Sequence, residues 1–133
     1  LDQQKQLLAF TLTFSGLTNV TQAHIHFGKR RVAGGIMVFF CSNLPNPPAG
    51  TQACPASAGT VGGTITGANV IAVPGQNITA GDFSALTEAL LSNTAYGNIH
   101  TSKFPAGEIR GQIHRVREQR EGEHGNNNNQ NQN

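Results

Sequence analysis

Charge is scarce in this chain: nine Lys and Arg against seven Asp and Glu make up 12% of 133 residues, with a formal net charge of +2. The sole basic cluster, Lys29-Arg30-Arg31, has no interleaved aromatic residues, so it reads as a solvated loop and not as a nucleic-acid footprint. No apolar stretch approaches the roughly 20 residues that a membrane-spanning helix needs. With only two cysteines and no Cys-x-x-Cys, a four-thiolate zinc site is excluded. Paired-carboxylate catalysis is excluded as well, because Asp82 stands where a helix cap is expected and Glu108 has no acidic neighbour in sequence. No serine or cysteine nucleophile comes with its own base, and the glycines form no phosphate-binding loop. An initiating Met and a signal peptide are both missing, so Leu1 reads as the first residue of a processed or trimmed chain.

What is present is the composition of a β domain: 16 glycines for tight turns, together with many Thr and Val. From Arg117 the sequence becomes wholly polar and ends in a run of Asn and Gln, which cannot bury enough apolar surface to offset the entropy of ordering it. The expected organisation is therefore one domain over residues 1–116, with its folding unit beginning near residue 5, and a polar low-complexity tail over 117–133. Self-association through this tail or through an open sheet edge is one expectation. Nothing points to a nucleic-acid partner.

Apolar residues at 8, 10, 12 and 14 alternate with Ala9, Thr11, Thr13 and Ser15, the period of a half-buried strand. Val20 to Phe27 alternates again, with Ala23, Ile25 and Phe27 on one face and Gln22, His24 and His26 on the other. Ile36 to Phe40 is continuously apolar, as in a strand buried on both faces, and short strands are expected at Val61–Ile65 and Val70–Val73. Asp82 to Ser92 reads as the one helix, a lid over one end of a sheet, capped by Asp82 and burying Phe83, Leu86, Leu90 and Leu91. Tyr96–Thr101 and Glu108–Val116 then form a hairpin across Phe104-Pro105-Ala106-Gly107. Ile109, Gly111 and Ile113 are expected to face the core, with His100 opposite Arg110. These elements predict an all-β, Greek-key-like β-sandwich with one short helix.

His24-Ile25-His26 is the strongest chemical signal. On a strand, residues i and i+2 lie about 6.5–7 Å apart on one face, so two imidazoles can converge on one ion with Ile25 anchored beneath. His100 occupies a similar polar position on a later strand and offers a third ligand. His114 is a candidate fourth ligand or a hydrogen-bonding neighbour, and His124 lies in the tail. The competing reading is two exposed histidines and a hydrogen-bonded core histidine. Three imidazoles without thiolate favour copper or zinc over calcium or magnesium. Arg110 has two readings: it holds the hairpin through Glu108 or a backbone carbonyl, or it attracts a small anion beside the metal. Cys41 and Cys54 bracket a loop rich in Pro, Asn and Gly. In an oxidising compartment they would staple it, contributing on the order of 3 kcal/mol. Asn19-Val20-Thr21 and Asn77-Ile78-Thr79 match the glycosylation triplet, a weak pattern.

Three segments in order, Ala23-His24-Ile25-His26-Phe27-Gly28, Tyr96-Gly97-Asn98-Ile99-His100-Thr101 and Phe104-Pro105-Ala106-Gly107-Glu108-Ile109-Arg110-Gly111-Gln112-Ile113, resemble the CHRD (chordin) domain family. Cys41-Ser42-Asn43-Leu44 and Ala53-Cys54-Pro55 resemble its microbial secreted branch. The resemblance runs from about Leu8 to Ile113 and implies an extracellular or cell-surface β-sandwich. In pattern the chain is also similar to copper/zinc superoxide dismutases: a His-x-His strand followed by Gly, a later His and a late Arg. That similarity implies His24, His26 and His100 as copper ligands and Arg110 as a superoxide-guiding catalytic group. The zinc subsite of those enzymes has no counterpart here. The other implied role is a non-enzymatic matrix, cell-surface or filament module. Family members usually begin with one further strand segment before the region matching Leu8. Its absence here predicts a trimmed chain or an open edge that another chain fills.

Overall fold

The computed structural model describes residues 1–116; the polar tail and His124 lie outside the described residues. Six strands, β1 (Leu8–Phe14), β2 (Val20–Phe27), β3 (Ile36–Ser42), β4 (Gly59–Ile65), β5 (Ala95–Thr101) and β6 (Ile109–Gln112), and one helix, α1 (Phe83–Leu91), make up its regular structure. They form two antiparallel sheets, β1–β4 and β3–β2–β5–β6, consistent with the all-β sandwich. The chain leaves the larger sheet after β3, pairs β4 with β1, and returns through α1 to place β5 beside β2.

Strand identity follows side-chain period. In β1 the residues at 8, 10, 12 and 14 are half-buried or buried while Ala9, Thr11 and Thr13 are exposed. Phe10 lies opposite Gly63 and packs its ring 4.9 Å from that of Phe40. The continuous apolar run of β3 is buried along most of its length, as expected. The core joins Ile25, Met37 and Val38 from the larger sheet to Val61 and Ile65 from the smaller and to Phe83, Leu86 and Ala89 from α1. Full burial of one such aliphatic side chain stabilises the fold by about 1.5–3 kcal/mol.

Asp82 caps α1 as expected, its carboxylate accepting the Ala85 N–H at 3.0 Å. The buried stripe is Phe83, Leu86, Ala89 and Leu90; Leu91, expected inside, is 36% exposed because it falls one position beyond that stripe. Val70–Val73 is not a strand. It runs between two 3-10 turns, touches β3 through the Ile71 N–H on the Met37 carbonyl, and makes only an isolated bridge at Val73. Cys41, on β3, is bonded to Cys54 with 5.0 Å between Cα atoms, fastening the Pro-rich loop to the sheet.

The two sheets differ in width, and the narrow one leaves part of the wide one bare. An apolar groove of about 590 Å³ runs between them, lined by Leu8, Phe10 and Leu12 of β1 and by Ile25, Ile99 and Ile109 of the larger sheet. Ile109 and Gly111, expected in the core, face this groove and are exposed. Among the described residues β1 is hydrogen-bonded to β4 alone.

Candidate metal centre

The polar face of the larger sheet is the face away from that groove. There β2 and β5 run side by side in regular register, pairing Gln22 with His100, His24 with Asn98, and His26 with Tyr96. Alternation along both strands puts these six residues on one surface, with Ile25 and Ile99 beneath. On its other side β2 meets β3 with register shifts at Ala23/His24 and at Ile25/His26. Such bulges bend a strand and re-aim its side chains, and here they flank the two histidines.

The ligating atoms offered by His24, His26 and His100 all lie within 4.8 Å of one another, and all three residues are buried. Each imidazole has one nitrogen engaged. His24 Nε2 bonds Gln22 Oε1 at 3.0 Å, His26 Nδ1 bonds the Gly34 carbonyl at 2.9 Å, and His100 Nδ1 bonds the Pro105 carbonyl at 2.8 Å. An oxygen acceptor requires the engaged nitrogen to carry the proton, which fixes each tautomer and leaves a lone pair on the other nitrogen. Those other atoms, His24 Nδ1, His26 Nε2 and His100 Nε2, are buried and have no hydrogen-bond partner among the described residues. Three lone pairs in one pocket repel each other unless an electrophile sits among them, and a metal ion satisfies all three together.

Electrostatics agrees with neutral rings. Burial first, then the neighbouring His100 and His26, holds the His24 pKa down to about 3. His26 is lowered too, chiefly by burial and further by His100 and Arg110, against the opposing pull of its bond to Gly34. A neutral imidazole is the form that binds metal, so no proton has to be displaced from His24 at neutral pH.

Aromatic groups wall the site. The Phe39 ring meets His24 edge-on at 4.3 Å, and Tyr96 stacks on His26 at 4.8 Å and 7°. The Tyr96 hydroxyl accepts the Gly34 N–H at 2.9 Å, so one residue, Gly34, anchors both stacked rings. Glycine is required there because a Cβ would collide with the Phe27 carbonyl.

Arg110 lies opposite Asn98, not opposite His100 as expected; the hairpin register is displaced by two residues. A two-residue slip preserves which face each side chain occupies, so Arg110 still borders the site. Its guanidinium carbon stands 3.6 Å from the Tyr96 ring centroid, and Nη2 donates to the Lys29 carbonyl at 2.9 Å. Of its two expected structural partners, the backbone carbonyl is the one used. Glu108 instead accepts from the Thr101 hydroxyl at 2.7 Å. His114 is exposed beyond the end of β6 and is not among the histidines brought together. Tyr96, Gln22 and the carbonyls of Gly34 and Pro105 were not anticipated as parts of the site. The shared face of Tyr96 and His100 was visible in the alternation, but a carbonyl acceptor leaves no trace in sequence.

The CHRD domain family profile matches residues 1–113, and the chain belongs to that family. No curated protein and no solved structure matches the chain.

Proposed function

We propose that this CHRD domain is an extracellular metal-binding module that holds copper between His24, His26 and His100. The observation that carries the reading is the set of three buried ring nitrogens with lone pairs, no partner among the described residues, and their opposite nitrogens tied to fixed acceptors. An all-imidazole donor set suits copper and zinc, and copper stands above zinc in intrinsic affinity for nitrogen ligands. The Cys41–Cys54 disulfide accords with an oxidising, extracellular setting. Among the described residues no helix is long and apolar enough to cross a membrane.

Bound copper would supply one-electron chemistry toward a small ligand such as superoxide, the activity that the dismutase-like arrangement implies. The chain's own part is to fix the three imidazoles, shield them from bulk water with Phe39 and Tyr96, and leave a coordination position unfilled by protein. Arg110, an exposed cation at the rim with further N–H donors beyond the one on Lys29, would draw a small anion toward that position.

Metal content tests this directly. Protein purified without added metal, then equilibrated with copper and desalted, should retain about one copper per chain, and a His24→Ala/His26→Ala variant with unchanged circular dichroism should retain none. Wild-type protein that takes up neither copper nor zinc would end the three-histidine reading.

A second reading, an extracellular assembly module, is favoured by the bare groove and the free edge of β1. An extended segment from another copy would add to β1 and set its alternate side chains into the groove. The two readings are compatible, since an assembly subunit can also carry metal.

A further inference from the structure

We infer that Arg110 and Tyr96 act on the metal centre through His26, as a charged stack that favours the reduced form of bound copper. This deepens the copper reading and rests on it. The residues are layered across three strands. β2 and β6 flank β5 on opposite sides, so the His26 imidazole and the Arg110 guanidinium reach the Tyr96 ring from opposite directions. The imidazole is parallel to the phenol within 7° at 4.8 Å, and the guanidinium carbon lies 3.6 Å from the phenol centroid.

Every layer is pinned by the backbone of one loop. His26 Nδ1 donates to the Gly34 carbonyl, the Tyr96 hydroxyl accepts the Gly34 N–H, and Arg110 Nη2 donates to the Lys29 carbonyl. Gly28 opens the same loop and lies so close to the Tyr96 ring edge that a Cβ there would stand 3.0 Å from Cε1. The guanidinium is therefore a fixed positive charge on a fixed aromatic platform, not a side chain sweeping through solvent. An aromatic face holds such a cation by its quadrupole.

A fixed positive charge disfavours the more highly charged state of a nearby ion. For the couple Cu(II) + e⁻ → Cu(I), it raises the midpoint potential. Arg110 is thus a positioning and tuning residue that touches the metal only through the phenol and His26, which is distinct from steering an anion at the rim.

The test is a redox titration of the copper-loaded full chain between ferricyanide and dithionite, with copper content and the Cu(II) paramagnetic resonance spectrum recorded for each variant. Arg110→Leu should lower the midpoint potential, and Arg110→Lys should recover part of that shift. Tyr96→Phe, which keeps the ring but loses the hydroxyl bond to Gly34, should fall by less than Tyr96→Leu. The double variant Arg110→Leu/Tyr96→Leu should fall no further than the larger single shift, since both act along one path. An unmoved potential in Arg110→Leu, or shifts that simply add, would overturn the stack while leaving the copper site standing. Wild-type protein that binds no copper overturns the copper reading and this inference with it. Should Tyr96→Leu fail to hold copper, the comparison of Arg110→Leu with Arg110→Lys decides the question alone.

Discussion

His24 is the most enclosed of the three histidines, and its protonation shows how the cluster is built. Its ordinary pKa of 6.5 is held down to about 3, mainly by burial. Below pH 6.5 the unfolded chain therefore takes up a proton that the folded chain refuses. Stability of the metal-free protein should be level above pH 6.5 and fall as the pH drops toward 3. Between pH 7 and pH 5 the loss from His24 amounts to about 2 kcal/mol, with the lowered His26 acting in the same direction. Urea midpoints at the two pH values measure this, and His24→Gln should flatten the slope; equal midpoints in the wild type would contradict the buried neutral ring. That His24 and His26 share a face was legible, because strand period alone puts them there. What orients them was not, because Gly34 and Pro105 contribute through main-chain carbonyls.

At the level of elements, alternation located β1, β2 and β5 well, and the cap at Asp82 located the start of α1. The hairpin register was harder. Pairing His100 with Arg110 or with Glu108 leaves every face unchanged, so polarity cannot choose between them. The turn chooses. The Gly107 N–H bonds the Phe104 carbonyl, the Thr101 hydroxyl accepts the Phe104 N–H, and Gly107 sits at φ +122°. Val70–Val73 has strand-like composition and lies beside the edge strand β3, yet only the Ile71 N–H reaches it, on the Met37 carbonyl, while Val70 and Val73 spend their main-chain groups on Gly81 and Ile78. The Cys41–Cys54 bond closes a 13-residue separation on β3, beside the Ala23 position of β2. Its replacement by Cys41→Ala/Cys54→Ala should lower unfolding free energy by about 3 kcal/mol. Copper should still bind to the folded fraction, since no ligand lies on the released loop. Denaturant curves with and without copper check both statements, and an unchanged midpoint would deny the bond its role.

For the whole molecule the decisive feature is the mismatch between a two-stranded and a four-stranded sheet. β1 carries no charge, no proline and no register shift, the usual devices that keep a strand edge from pairing with another chain. The assembly reading therefore expects concentration-dependent association in sedimentation or light scattering. Lys at the outward positions Ala9 and Thr11 should shift the protein to monomer without lowering its melting temperature. A wild-type chain that stays monomeric at high concentration would remove this reading. The mismatch was only partly legible in sequence: an open edge was expected, but Ile109 and Gly111 looked like core because their period is that of a covered strand.

The groove and the histidines occupy opposite faces of one sheet, a single layer of backbone apart. Ile25, between the two histidines of β2, lines the groove, and so does Ile99 beside His100. A strand seated in the groove would thus close on the residues that lie beneath the histidines. By thermodynamic reciprocity, whatever factor assembly applies to metal affinity, metal applies to assembly. The sheet would then make each subunit's occupancy readable by its neighbour.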